Sequence, residues 1–431
     1  MKNVLIIVHL PRASPRVEGL VRYISEYGWQ PIILTGTTSQ YKDLPARIIE
    51  TPYRNALGFL GRWFKIDPEK DPGEQIKSTL RAPSGKSPLD YLFTLGGTIV
   101  NYPCPNKNWK PFALKAAGEL LEKENIDAII SSSAPVTSHL IASELKKRYE
   151  IPWIADFRDL WSQNHNYTYG PIRRLMDKRL EVITLANADA LVTISEPWSE
   201  KLRQLHQGKR DYTITNGFDP GEVNDPPADL TTGFSITHTG SIYQGKQYPS
   251  KLFTVLRELI SDGTMEPGDV KVRFYGLRLE WLDKEIEACG LSGIVKQYGI
   301  VPRQEAIARQ RESQVLLVIN WEAKEGLASH QAKLFEYLSA QRPVLSIMGL
   351  GNYLTESILN ETGAGKHAPT LEDIKAGLKE LYQEYKLKGR VDYKGDRKLI
   401  DKYSYREMTK KFSEILNHLT DTSAQVEVKA G

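Results

Sequence analysis

The stretch SHQAKLFEYLSAQRPVLSI, Ser329 to Ile347, decides the fold of this chain. Short polar residues open it, and a helix-length segment runs from Ala332 to Ala340. Gln341-Arg342-Pro343 breaks that helix, and Val344–Ile347 resumes as an apolar strand. Ahead of it, QVLLVIN (Gln314–Asn320) is a continuous apolar run, the pattern of a strand buried on both sheet faces. Strand, polar loop, helix, turn and strand make a βαβ unit. Its loop and helix N-terminus lie at the carboxyl ends of the strands, where ligands bind. Backbone N–H groups and the helix dipole make that end attractive to anions. Lys333 and Glu336 fall on neighbouring faces of the first turns. A carboxylate there can accept both hydroxyls of a ribose, and an ammonium can meet phosphate. The competing reading is a surface helix carrying a Lys–Glu pair worth a few tenths of a kcal/mol.

Working outward, 431 residues are too many for one core and predict two domains. A hydrophobic content of 40% with 26% charged residues is that of a soluble globular protein, and no apolar run approaches the roughly 20 residues that span a bilayer. MKNVLIIVHLPR at the start has too short an apolar core for a signal peptide and reads as a buried strand. Cys104 and Cys289 stand far apart, outside any metal spacing, as expected of a reducing compartment. A net charge of +4 is small for this length and does not point to nucleic acid.

Strand Asn3–Val8, loop PRASPRVEG, helix Leu20–Tyr27 and strand Pro31–Thr35 open a doubly wound α/β domain. The loop lacks the GxGxxG spacing of dinucleotide sites, and Arg16 supplies part of its charge. Residues 52–110 form an irregular insertion in which ALGFLGRWFK (Ala56–Lys65) is apolar with basic flanks. That patch either lies in a membrane interface or packs on its own domain. Alternation then resumes: helix Lys110–Glu124, strand Ala128–Ser131, the turn SSSAPVTS, helix Ser138–Tyr149 and strand Trp153–Phe157. ADFRDLW (Ala155–Trp161) places Asp156, Arg158 and Asp159 at a strand's carboxyl end, either a cleft-edge site or an internal Arg–Asp network. A mixed-charge helix, Ile172–Ala186, a strand Ala190–Ile194 and a helix Pro197–His206 lead to Asn216-Gly217. A second alternating half begins after the linker Asp219–Leu230, includes the loop HTGSIYQGKQYP, and ends with a tail helix Tyr405–Leu419.

Four stretches now carry a resemblance: YISEYGWQPIILT (Tyr23–Thr35), IPWIADFRDLW (Ile151–Trp161), VTISEPWSEKLR with TNGFD (Val192–Asp219), and KLFEYLSAQRPVL (Lys333–Leu345). Together they resemble the GT-B glycosyltransferases, and within them the family-4 nucleotide-sugar enzymes. The resemblance implies two doubly wound Rossmann-like domains facing each other across a cleft. Residues 1–216 would form the acceptor-side domain and 217–400 the nucleotide-sugar domain. A helix over 401–420 would pack back on the first domain, and 421–431 would be a frayed tail. The family's glycine with a lysine six positions on is kept as Gly240 and Lys246, while Ser241 stands where the family has arginine. Of the family's two glutamates, Glu336 matches the second, which binds ribose, and Ala328 occupies the first position.

The resemblance further implies that Lys246, Glu336 and Asp156 are catalytic. The donor would be bound by Gly240, Ser241, Lys246, Ser329, His330, Gln331, Lys333 and Glu336, and the acceptor would meet Arg16, Ser132, Asp156 and Arg158. The expected reaction moves a sugar from a UDP- or GDP-linked donor to a glycan or lipid-linked acceptor in cell-surface glycan biosynthesis. Retention of configuration and no metal or other cofactor are expected, with a cytoplasmic location at the inner face of the plasma membrane and no nucleic acid partner. A sugar-nucleotide epimerase of the same fold and a non-catalytic nucleotide-sugar-binding partner stay open as alternatives.

Overall fold

The computed structural model describes residues 1–10, 15–37, 43–52, 102–165, 167, 169–222, 228–322, 331–351 and 353–430, with side chains as far as 421. It divides into two compact units. One comprises Met1–Thr193, Trp198–Thr213 and Thr409–Gly431, and the other Ile194–Pro197 and Ile214–Met408. Ala56–Lys65, Ser329 and His330 lie outside the described residues.

The first unit is built on a parallel seven-stranded sheet of β1 (Lys2–Ile7), β2 (Trp29–Gly36), β3 (Arg47–Thr51), β4 (Ala128–Ser133), β5 (Trp153–Phe157), β6 (Ala190–Thr193) and β7 (Arg210–Thr213), in the order 3-2-1-4-5-6-7. Helices α1 (Pro15–Tyr23), α2 (Lys110–Leu121), α3 (Thr137–Tyr149), α4 (Pro171–Leu185) and α5 (Glu196–Leu205) alternate with the strands. The second unit has a parallel six-stranded sheet: β8 (Phe234–Thr239), β9 (Val270–Tyr275), β10 (Val295–Gly299), β11 (Val315–Ile319), β12 (Val344–Ile347) and β13 (Gly365–Ala368), ordered 10-9-8-11-12-13. Its helices are α6 (Ser250–Ser261), α7 (Glu280–Ala288), α8 (Arg303–Arg311), α9 (Ala332–Ser339), α10 (Tyr353–Thr362), α11 (Leu371–Lys388) and α12 (Arg397–Asp401). The last helix, α13 (Tyr405–Ala430), starts in the second unit and ends in the first. These are two doubly wound α/β sheets, the class that the sequence predicts.

The run QVLLVIN shows why. Val315, Leu317 and Ile319 enter a core with Phe253, Leu256, Leu345 and Ile347. Leu316 and Val318 enter another with Leu334, Phe335, Leu338 and Ile358. A strand buried on both faces cannot alternate with polar residues, so its sequence is continuously apolar. Each such side chain contributes about 1.5–3 kcal/mol by leaving water. In α9 the side chains of Leu334, Phe335, Tyr337 and Leu338 are buried, while Lys333 and Glu336 stay partly exposed.

Several elements differ from the sequence reading. Helix α1 begins at Pro15, inside the expected loop, and ends at Tyr23; the edge strands β3 and β13 and the helix α12 are additional; and α13 stays helical to Ala430, through the tail expected to be frayed. Among the described residues no helix is long and apolar enough to cross a membrane.

Candidate functional site

In a doubly wound sheet, ligands settle at the carboxyl ends of the two strands where winding reverses. In the second unit those strands are β8 and β11. Gly240 follows β8 at a φ of +108°, a conformation that favours glycine, and its N–H donates to the Tyr275 carbonyl at 2.7 Å. A methyl group on Gly276 would overlap the Gly240 carbonyl, and one on Gly240 would lie 3.4 Å from Lys333 Nζ. The two glycines therefore let the ends of β8 and β9 close together beneath the lysine.

His238, the penultimate residue of β8, is fully buried. Its Nδ1 lies 2.9 Å from the Leu317 carbonyl on β11, which can only accept, so the ring proton is assigned to Nδ1. Nε2 is then an acceptor, and Lys333 Nζ donates to it at 2.9 Å. The Ser241 carbonyl lies 3.4 Å from the same ammonium. Burial, and then the charge of Lys333, hold His238 well below the ordinary histidine range, which keeps it neutral. Burial brings Lys333 down to about 7 against the opposing pull of Glu336. The lysine retains some accessible surface, and no carboxylate ion-pairs with it among the described residues. This is a cation with room for an anion.

Beside it opens a cavity of about 390 Å³, lined among others by Gly240, Tyr275, Gly276, Arg303, Gln310 and Glu336. That is at the small end of the range for ligand pockets. Arg303 Nη1 donates to Glu336 Oε1 at 3.3 Å, and Nη2 pairs with Glu222 at 3.1 Å. The wall is held by Thr239, whose N–H donates to the Tyr337 hydroxyl at 2.8 Å and whose Oγ1 accepts from Gln310 Nε2 at 2.9 Å.

Of the sequence candidates in this unit, Gly240, Ser241, Lys333 and Glu336 come together. Gln331 turns its amide to the Ile319 carbonyl at 2.7 Å and so braces the end of β11. Lys246 lies with Nζ 4.4 Å from the Trp321 ring centroid, a cation–π contact. The sequence reading missed His238, Arg303 and Tyr337. The signal for His238 was available, since a large polar residue interrupts the β8 run one position before the strand's end.

In the first unit the four candidates form one network, buried at Arg16, Ser132 and Asp156 and partly exposed at Arg158. Arg16 Nη2 donates to Asp156 Oδ1 at 3.1 Å, and both side chains are 2% exposed. Ser132 Oγ donates to Asp156 Oδ2 at 2.7 Å, and Arg158 Nε donates to Ser132 Oγ at 3.1 Å. Arg16 also lies 5.2 Å from the Phe412 ring centroid. Both oxygens of Asp156 are engaged, which fits a carboxylate that orients the arginine and the serine.

Residues 13–217 match a family model described as a glycosyl transferase 4-like domain. No curated protein sequence matches the chain. Among solved structures, sucrose-phosphate synthase from Thermosynechococcus elongatus aligns over 98% of this chain and 100% of its own, with 13% identity and a TM-score of 0.63. Anabaena HepE in complex with UDP and glucose aligns over 97% and 100%, with 12% identity and a TM-score of 0.64. A glycosyltransferase from Rickettsia africae aligns over 97% and 98%, with 14% identity and a TM-score of 0.60. At such identities the likeness is one of fold, the two-domain α/β fold of GT-B glycosyltransferases. On the family match, the chain carries a glycosyl transferase 4-like domain over residues 13–217 and is an enzyme of glycosyltransferase type, with the GT-B fold of the solved structures.

Proposed function

We propose that the second unit binds a UDP- or GDP-linked sugar and that the enzyme transfers this sugar to a hydroxyl of a glycan or lipid-linked acceptor. The observation that carries the reading is the Lys333 ammonium, held by His238 over Gly240, which lines the same cavity as Glu336. In the transfer, the bond from the anomeric carbon to the diphosphate oxygen breaks, a bond to the acceptor oxygen forms, and the acceptor proton leaves. Negative charge grows on the departing diphosphate. Lys333 and the amides at the start of α9 face that charge, and a preorganised donor of this kind contributes roughly 3 kcal/mol. No side chain caps α9, so its first amides remain for an anion.

Glu336 receives Arg303 on Oε1, which leaves Oε2 for a ribose hydroxyl. Lys246, stacked on Trp321, serves as a second cation toward the diphosphate. Asp156 acts by holding Arg16 and Ser132 toward the acceptor. Retention of configuration without a metal, and work at the inner face of the membrane on a cell-surface glycan, complete the proposal. Structures of the same fold support the nucleotide: HepE has been solved with UDP and with UDP-glucose. Two others are described as a lipopolysaccharide outer core galactosyltransferase, WaaB, and as S. aureus TarM in complex with UDP.

Calorimetric titration with UDP, GDP and their sugar conjugates tests the reading. One nucleotide class binding to the wild type and weakened in Glu336→Ala is expected. Equal affinity in the variant overturns the ribose assignment, and binding of neither nucleotide overturns the site.

A further inference from the structure

Helix α4 is inside out. The side chains it buries are Arg173, Asp177, Glu181, Thr184 and Leu185, four of them polar. The side chains it exposes include Ile172 (78%), Leu175 (70%), Met176, Val182 and Ile183 (53%). At 100° per residue these five fall within one outward stripe about 120° wide. An ordinary surface helix places such a stripe against the core.

The inward face is polar because its charged groups are paired with one another and with neighbouring loops. Arg173 Nε pairs with Asp177 Oδ2 at 3.0 Å, and the Tyr167 hydroxyl donates to the same oxygen at 2.6 Å. The guanidinium is flanked by the rings of Tyr102 and Tyr169, at 4.4 and 4.9 Å from their centroids. Its Nη2 donates to the Pro103 carbonyl at 2.7 Å. Glu181 Oε2 accepts from both the N–H and the hydroxyl of Ser162. Asp177 Oδ1 is left without a hydrogen-bond partner, but a buried network with this many paired groups still fixes the helix in one rotation. The apolar stripe cannot roll inward without stranding a buried carboxylate.

The charges complete the argument. Both acidic residues of the helix, Asp177 and Glu181, are buried, whereas Arg174, Lys178 and Arg179 are exposed. The outer surface is therefore apolar and cationic with no exposed acid, the composition of a helix that lies in an interface of anionic lipid. We propose that α4 is a docking face for an anionic membrane surface, its Ile172–Ile183 stripe entering the headgroup layer while Arg174, Lys178 and Arg179 meet lipid phosphates. The proposal shares only the membrane location with the glycosyl-transfer reading. Its test uses no nucleotide, so either can fail alone.

The experiment is co-sedimentation of the full chain with phosphatidylcholine vesicles, with and without phosphatidylglycerol. Two variants accompany it: Leu175→Ser/Ile183→Ser, and Lys178→Gln/Arg179→Gln, the latter placed at exposed positions so that the fold is kept. Wild type should sediment with the anionic vesicles and much less with the neutral ones. Loss of two surface cations should weaken that partition about thirtyfold. The apolar double variant should abolish it with an unchanged melting temperature. Failure of wild type to sediment, or equal sedimentation of the charge variant, overturns the proposal. So does a clear fall in melting temperature of the apolar variant, which would mean that the protein covers this face itself. A concentration-dependent dimer in analytical ultracentrifugation that the apolar variant dissociates assigns the stripe to a second copy and likewise overturns it.

Discussion

Lys333 Nζ donates to His238 Nε2 across 2.9 Å, while the opposite edge of the same imidazole is tied to Leu317 on the neighbouring strand. The ring thus relays the rigidity of two central strands to the ammonium at the end of a long side chain. His238→Leu removes the acceptor and should weaken UDP binding about tenfold or more, the usual worth of a hydrogen bond to a charged group. His238→Gln, which retains a donor and an acceptor, should recover much of the loss. Equal affinities for wild type and His238→Leu in calorimetry would remove the ring from the site.

Donor binding should take up a proton. Lys333 sits at about 7 when the site is empty, and a diphosphate beside it raises that value. Below pH 7 the lysine is already charged. Above it, each bound nucleotide must bring a proton, so the dissociation constant should rise with pH by up to about tenfold per unit. Titrations at pH 8 in buffers of different ionisation enthalpy read the uptake directly. Identical apparent enthalpies would contradict it.

The same lysine costs stability. Its folded-state value, about 7, lies below the ordinary 10.5, so the unfolded chain binds more protons between those limits and stability rises with pH across that window. Lys333→Met should flatten this slope and raise the melting temperature at pH 7 by about 2 °C or more. It should lower transfer about a hundredfold. Thermal scans of both proteins across pH 6 to 10 decide it.

Glu336 and Lys246 separate by what each is paired with. Glu336→Ala releases Arg303 from one carboxylate and leaves Glu222. The fold should survive while nucleotide affinity falls about tenfold. Lys246→Ala loses a cation–π contact with Trp321 and should lower diphosphate affinity and rate together. UMP, which lacks the β-phosphate, should bind that variant as well as wild type, and an equal loss for UMP would place Lys246 elsewhere.

Asp156 is foremost a structural anion. Asp156→Ala leaves the Arg16 guanidinium buried without its carboxylate and should cost about 3–5 kcal/mol in urea unfolding. The Arg16→Met/Asp156→Leu pair should recover most of that. A double variant as unstable as the single one would show that the network, and not the lone charge, sets the cost.

Legibility followed burial. QVLLVIN and the KLFEYL block were readable because double burial and helical spacing leave strong sequence patterns, and with them came Lys333 and Glu336. The edge strand β13 reads GKHA, with one buried residue of four, and β3 reads RIIET with its centre half-buried. Neither has a packed face to dictate composition. The Arg16–Asp156 contact joins residues 140 positions apart and has no local signature, although an internal Arg–Asp network was one of the two readings of the ADFRDLW segment. His238 was visible as a polar residue in the β8 run, but its role was not. Its role comes from a carbonyl on β11, which no side-chain pattern reveals.

The last helix has a bearing on how the protein is made. Phe412 and Leu416 are fully buried, Asn417 accepts from the Trp29 indole at 3.1 Å, and Asp421 reaches back to Lys2 at 3.0 Å. All of these belong to the first unit, yet they are the last of it to be translated. During synthesis the N-terminal half must wait on the ribosome with part of its core missing, whereas the second unit finds all its strands in one uninterrupted stretch. A chain stalled before Thr409 would present a finished second half and an unfinished first. Chaperone contacts during translation should therefore concentrate on the half that emerges first.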